Sequence, residues 1–453
     1  MTNISNMKTL QENLPLLKIS KDKKYIVTED NDPFFWLGGT AWELIHRLDK
    51  EEIDFYFTNR KEKGFTVIQT VILAELDGLN TPNAYGEKPL INNDPARINV
   101  KYFEYVDYVI KRAKEFGLYI AVLPTWGDKF NLKWGAGPEV FNPKNAQIYG
   151  EFLAERYLSF NNIIWILGGD RIPEEDNHAK IIQAMAKGIR KKDTRHLMSY
   201  HPLGGELASD FFNEKWLDFD MFQSGHDLTG KDYEYVRKSR LKTPLKPVVN
   251  GEARYENMPD RFWLKDGLIW MNDADVRITA YWSMLAGAAG YTYGCNDIWQ
   301  MYTIDRDPVI HARTDWKSAM YLPGSTHMKY MKDFLTTFPW QKMENDQSLI
   351  LNNNSNEDDT YIICAIGADR DFIIAYTPLG KSIKPDISGM NADYVRAFWF
   401  NPRSGKVKMV GSYKVSDKPE FTPWSWGKGS DFILLIVNEN NRYSFPDLES
   451  ALY

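Results

Sequence analysis

Eight short, nearly continuous apolar runs between residues 34 and 293 constrain this chain more than any other feature. They are Phe34–Leu37, Thr66–Leu73, Tyr119–Leu123, Ile163–Leu167, Leu197–Tyr200, Met221–Gln223, Pro247–Asn250 and Gly290–Tyr293. A strand with one wet face alternates polar and apolar residues, whereas a strand covered on both faces does not. The runs therefore read as parallel strands with helices packed against them. Asp49 stands as an N-cap with Glu52 at the third helical position, and Gly64 stops that helix. Phe103, Val106, Ile110 and Ala113 recur at helical spacing up to Gly117, and Asn142-Pro143 opens a third helix with proline at its first position. Ile181, Ile182, Met185 and Ile189 stripe a fourth, and Asp273 opens a late helix carrying Val276, Ala280 and Met284. Asp210–Lys215 and Asp232–Arg240 are expected as short helices. Eight strand–helix alternations predict an α/β fold closed into a (β/α)8 barrel. The competing architecture is an open doubly wound sheet. It calls for a nucleotide-binding turn, yet no G-x-G-x-x-G follows a strand and no G-x-x-x-x-G-K-[ST] occurs; the glycines of WGAGPEV lie in a loop.

After Met331 the helical periodicity ends. Ser348–Leu351, Tyr361–Ile366, Phe372–Tyr376, Val395–Phe400, Lys406–Val410 and Phe432–Val437 are short strand candidates. The turn-rich segments NNNSNEDD (read as a hairpin tip), GADRD, NPRSGK and WGKGSD separate them. This texture predicts a small antiparallel β-sandwich. The chain is thus expected to divide into a catalytic barrel over residues 1–335 and a sandwich over 336–453.

Composition removes several function classes. With 43% apolar and 26% charged residues among 453, the chain can bury a large core and is not globally disordered. A formal charge of −6 argues against nucleic acid or an anionic membrane surface as its partner. Phe432–Val437 is far too short to span a bilayer. The first twenty residues lack a basic start, an apolar stretch and a cleavage site. The sequence as it stands thus predicts a cytoplasmic location, or an exported one if a leading segment has been trimmed. Two cysteines, Cys295 and Cys364, cannot build a disulfide framework, and Cys295 reads as a buried inert thiol. No H-x-x-x-H pair, C-x-x-C or G-x-S-x-G occurs, so no metal and no other cofactor is expected. Nothing in the sequence speaks to oligomeric state.

In a (β/α)8 barrel the catalytic groups sit at the C-terminal ends of the strands. Strand four exits as Gly168-Gly169-Asp170 and strand seven as Gly251-Glu252. One carboxylate after a glycine is commonly a helix cap or a salt-bridged rim residue. Two on the same rim face one cleft. A carboxyl pair split into a proton donor and an anion is what glycosidic cleavage needs. A separation of about 5–5.5 Å gives retention of configuration and about 6.5–9.5 Å inversion, which the sequence leaves open. The 14% aromatic content fits a cleft in which sugar C–H faces pack on rings, although a well-filled core accounts for it equally. The strand exits offer Trp36 and Trp42, Trp126 and Asp128, His201, Gln223 and His226, and Tyr293, Asn296 and Trp299 as substrate contacts. The alternative for several of them is packing of the barrel mouth. His226 and Tyr255 are placed by position to orient Glu252 and to contact substrate.

FFWLGGTAWEL near the start, IIWILGGD on strand four and PVVNGEARYE on strand seven resemble the apiosidases of glycoside hydrolase family 140. The likeness spans nearly the whole chain, because that family also joins a (β/α)8 barrel to a C-terminal β-sandwich. It implies a glycoside hydrolase acting at β-D-apiosyl linkages of plant cell-wall pectin, the rhamnogalacturonan-II side chains, or of plant glycosides. It also implies a retaining mechanism with Asp170 as acid/base and Glu252 as nucleophile. Gly-Gly-Asp replaces the Asn-Glu of related retaining barrel glycosidases at strand four. The C-terminal domain resembles domains named for collagen binding and is expected to cap the barrel structurally. The same fold acting on an arabinofuranoside or a β-hexoside, or a non-catalytic carbohydrate-binding barrel, are the alternatives.

Overall fold

The computed structural model describes residues 14–264, 268–352, 359–441 and 443. Eight parallel strands build its larger sheet: β1 Trp36–Thr40, β2 Val67–Leu73, β3 Tyr119–Thr125, β4 Ile163–Gly168, β5 Met198–His201, β6 Asp220–Gln223, β7 Val248–Glu252 and β8 Gly290–Cys295. Their spatial order, β5-β4-β3-β2-β1-β8-β7-β6, is a barrel order read around the ring. No ladder joins β5 to β6. They are linked instead by the Asp218 N–H to Met198 O (2.9 Å) and by Ser199 Oγ to Phe219 O (2.7 Å). Past that link Glu206–Leu207 pairs antiparallel with β6 and occupies its free edge.

Alternate residues of the strands divide between two cores. Trp36, Val67, Val71, Ala121, Ile164, Ile166, Met221 and Val249 fill the barrel interior. Leu37, Ile68, Ile72, Ile120, Trp165 and Val248 face the helix shell. A hairpin of Leu17–Ile19 and Ile26–Thr28 covers the end opposite the strand exits, with Leu14, Leu17 and Ile26 in the interior core. The longer helices are α1 Lys50–Glu62, α2 Val100–Glu115, α3 Pro143–Tyr157, α4 Asp176–Lys192, α5 Asp232–Arg240, α6 Asp273–Leu285 and α7 Pro323–Leu335. Asp49 and Glu52 form a reciprocal capping box on α1, and Gly64 ends it at φ +73°. The connection between β5 and β6 differs from expectation: Asp210–Lys215 is no helix, and only a 3-10 turn, Ala208–Asp210, stands there. Asp220 draws that turn in, accepting the Ser209 N–H and hydroxyl. β1 also runs later than its apolar run. Gly38 and Gly39 extend it because β8 lies too close for a side chain: a Cβ on Gly38 would meet Thr292 Oγ1 at 2.5 Å.

The C-terminal part is a six-stranded antiparallel sheet of β9 Met343–Asn345, β10 Ile363–Gly367, β11 Phe372–Thr377, β12 Tyr394–Asn401, β13 Lys406–Lys414 and β14 Phe432–Asn438, in the order β9-β10-β11-β14-β12-β13. Ser348–Leu351 is not one of its strands, because Asp346 accepts the Ser348 N–H and tightens Gln347–Leu349 into a 3-10 turn. The NNNSNEDD hairpin tip lies outside the described residues apart from its first and last residue. One face of the sheet packs on the barrel's helices, and the other is covered by loops carrying Ile383, Ile387, Met390 and Phe421. Polar groups fix the junction. Buried Arg277 of α6 makes two 2.8 Å hydrogen bonds to Asp431, and Trp282 Nε1 donates to Tyr361 O at 3.2 Å. Among the described residues no helix is long and apolar enough to cross a membrane.

Candidate active site

The strand exits surround one cleft of about 1230 Å³. Asp170 reaches it through three successive residues with positive φ: Gly168 at +92°, Gly169 at +111° and Asp170 at +55°. Only glycine fits the first two. A Cβ on Gly168 would lie 2.5 Å from His201 O, and one on Gly169 would lie 2.9 Å from the Gly127 nitrogen. Aspartate is among the few residues that tolerate the third. The turn is tied down by the Gly169 N–H to His201 O (3.1 Å) and the Gly127 N–H to Gly169 O (3.1 Å).

Glu252 is the last residue of β7 and is aimed by a bulge. On β7 Val249 points into the barrel, while Val248 and Asn250 point toward the helices, Asn250 bonding Asp232 and Ser283. Strict alternation would send Glu252 outward as well. The register on β6 instead slips between Asn250↔Phe222 and Glu252↔Gln223, leaving Gly251 as the extra residue. The slip turns Glu252 into the cleft.

Two imidazoles hold Glu252. His226 Nε2 lies 3.0 Å from Oε1 and His201 Nε2 lies 2.9 Å from Oε2. The Asp170 backbone N–H points at His201 Nδ1 at 3.3 Å, which makes Nδ1 the acceptor and leaves the ring proton on Nε2, toward Glu252. Burial alone would raise the Glu252 carboxyl, but the two histidines outweigh it and hold the group down at about 2. Asp170 moves the other way, to about 6. Burial raises it and the Glu252 charge adds to this, against Arg171 and the two histidines. The cleft therefore holds one carboxyl that keeps its proton up to about pH 6 and one that gives it up far below that.

Around them, Trp42 donates Nε1 to the Tyr255 hydroxyl at 3.2 Å, and its ring lies 5.1 Å from that of Trp126 and 5.3 Å from the imidazole of His201. Trp126, Gln223, His226, Tyr255 and Trp299 also line the cleft, and His201 lies behind them, fully buried. Trp126 Nε1 and Gln223 Oε1 are buried with no protein partner, which leaves one donor and one acceptor open at the cleft.

Besides His201, four residues expected at the cleft do not line it. Trp36 begins β1 rather than ending it; it is sealed in the barrel, where Nε1 donates to Thr292 Oγ1 at 3.1 Å. Tyr293 faces the helix shell, its hydroxyl bonded to Glu256. Asn296 braces the rim by bonding Ile310 O and the Trp299 indole. Asp128 is fully buried, where it holds Lys129 Nζ at 2.8 Å and the Gly137 N–H at 2.7 Å, and so shapes the loop that follows.

Conversely, the cleft contains Glu75, Trp134, Phe262 and Trp263, which were not expected there. Glu75 stands two residues beyond β2, with no glycine before it to mark a close turn. Burial, and then the charges of Asp170, Asp128 and Glu43, raise its carboxyl well above the ordinary range. Among the described residues no group of three or more His, Cys, Asp or Glu is placed to hold a metal ion.

The family model described as "Apiosidase-like, catalytic domain" matches residues 20–342, and that described as "Putative collagen-binding domain of a collagenase" matches 345–437. A crystal structure described as a glycoside hydrolase family 5 protein from Bacteroides vulgatus is 33% identical, covers 95% of this chain and 94% of its own, and superposes with a TM-score of 0.87. A second solved structure, described as a glycoside hydrolase, is 32% identical, with 95% and 98% covered and a TM-score of 0.88. A further structure from Bacteroides vulgatus, described as "a putative glycoside hydrolase", shares the fold at 12% identity, 94% and 83% coverage and a TM-score of 0.68. No curated protein matches the chain. With both extended relatives and a family model across the barrel, the chain belongs to the apiosidase-like family and is a glycoside hydrolase.

Proposed function

We propose that the enzyme hydrolyses β-D-apiosyl linkages with retention of configuration, Asp170 acting as acid/base and Glu252 as nucleophile. The family match supports the sugar. The opposed proton affinities of the two carboxyls in one cleft carry the mechanism. Protonated Asp170 gives its proton to the glycosidic oxygen as Glu252 attacks the anomeric carbon. The C–O bond to the leaving sugar breaks and a glycosyl ester forms on Glu252. Esterification removes the charge that helps to raise Asp170, so Asp170 becomes an anion at the moment a base is needed. It then takes a proton from the water that displaces Glu252, which completes hydrolysis.

The low basicity of Glu252 favours retention over inversion. A general base works best with a pKa near the working pH. A carboxylate held near 2 by two imidazoles is a weak base for water but a good leaving group from its own ester. Two measurements test the reading. Wild-type enzyme releases free apiose from an apioside in preference to arabinose or xylose from matched glycosides, and NMR of the first product finds the β anomer. Release of another pentose or a hexose overturns the sugar; the α anomer overturns the mechanism.

A further inference from the structure

We propose that Trp134 is the stacking platform for the leaving-group sugar, so that the enzyme's preferred substrates carry at least one pyranose ring on the far side of the scissile bond. The inference rests on the acid role of Asp170 given above. The group that protonates the leaving oxygen stands between the two halves of the substrate, so its outer flank belongs to the leaving half. That flank is built by Arg171. Its Nη1 donates to Asp170 O at 2.8 Å and lies 3.5 Å from Asp170 Oδ2. The same guanidinium lies 4.1 Å from the centre of the Trp134 ring. The indole is thus fixed one layer beyond the acid, yet it stays 59% exposed and lines the cleft.

A large aromatic ring that is open to water and lines a cleft offers a face on which a sugar ring can pack. The loop is well held. Arg171 Nε and Nη2 donate to Asn131 O at 2.9 Å and to Leu132 O at 3.2 Å. Lys133 Nζ, 5.5 Å from the ring, is bound to Glu174 at 2.5 Å. Gly135 sits so close to Asp128 that a Cβ there would lie 2.2 Å from the Asp128 Cβ. The ring is presented rather than loosely hung, which reduces the ordering cost of stacking on it. The cleft is also roomier than one pentose requires: about 1230 Å³ is above the usual range for a drug-sized ligand.

The test compares two glycosides of whichever sugar the wild-type enzyme releases, one with an oligosaccharide leaving group and one with an ethyl group. Both leaving alkoxides need the proton of Asp170, but only the first has a ring to stack. The ratio of their kcat/KM values is expected to fall about tenfold in Trp134→Ala, chiefly through KM for the oligosaccharide, and to stay within about threefold in Trp134→Phe. An unchanged ratio in Trp134→Ala overturns the platform, whether both activities persist or both fall together. Because the pair is built on the sugar actually released, an error in the apiosyl assignment is detected separately.

Discussion

His201 Nε2 lies 2.9 Å from Glu252 Oε2 while its other ring nitrogen accepts the backbone N–H of Asp170. In the proposed mechanism one imidazole therefore supports the nucleophile, Glu252, and positions the main chain of the acid, Asp170. Replacing it with alanine removes both effects. His201→Ala is expected to lower kcat/KM by about 10–100-fold, in the range for a group that orients a reacting side chain. The acidic limb of the pH profile should move upward, since Glu252 loses a contact that holds its proton affinity down. A profile shifted the other way would contradict the assignment.

The pH dependence follows from the sign of each shift. In the proposed mechanism Asp170 acts protonated, so kcat/KM is expected to fall as pH rises through about 6. Glu252 acts ionised, so its contribution is lost only as pH falls through its depressed value near 2. The profile should be high on the acidic side, with the alkaline limb set by the pair as a coupled unit. Glu252→Gln removes the charge that helps to hold the Asp170 proton. Carboxyl titration by NMR or infrared difference spectroscopy should then place Asp170 lower than in the wild type.

Glu75 is expected to work as a neutral hydrogen-bonding acid. It lines the cleft, where burial first and the neighbouring carboxylates second raise its carboxyl well above the ordinary range. Steady-state kinetics should find Glu75→Gln within about fivefold of wild type and Glu75→Ala weaker by about tenfold, chiefly in KM, the size of one lost hydrogen bond to substrate. Loss of activity in Glu75→Gln as deep as in Glu75→Ala would mean that the ionised form is required.

The junction of barrel and C-terminal sheet depends on Arg277 and Asp431, both buried and bonded twice at 2.8 Å. Asp431→Ala leaves the guanidinium with Asp273 as its remaining carboxylate partner. Urea unfolding should show a loss of about 3 kcal/mol, the lower end for breaking a buried pair. A change within about 0.5 kcal/mol would show that water or Asp273 replaces the partner.

The barrel was legible because its strands are covered on both faces, so runs such as Ile163–Leu167 and Thr66–Leu73 carry no competing pattern. That Asp170 and Glu252 share one cleft was legible for a different reason: glycine before a rim carboxylate reports a close turn, and both turns exist at Gly168-Gly169 and Gly251. Facing direction was not legible. Trp36 and Tyr293 differ from Trp42 and Trp299 only in where the strand begins and which way its side chains alternate, and a run whose both faces are apolar hides that phase. Glu75 lay just beyond the longest apolar run, and Asp128 looked like a ligand contact because a buried loop anchor and a cleft carboxylate share the same local sequence.

Azide rescue of Glu252→Ala tests the central claim most directly. If Glu252 attacks the anomeric carbon while Asp170 serves the leaving oxygen on the opposite side, azide in the vacated space should restore turnover of an aryl glycoside. The product should be a glycosyl azide of inverted configuration. Absence of rescue, or an azide product that keeps the substrate's configuration, would contradict a nucleophile at Glu252.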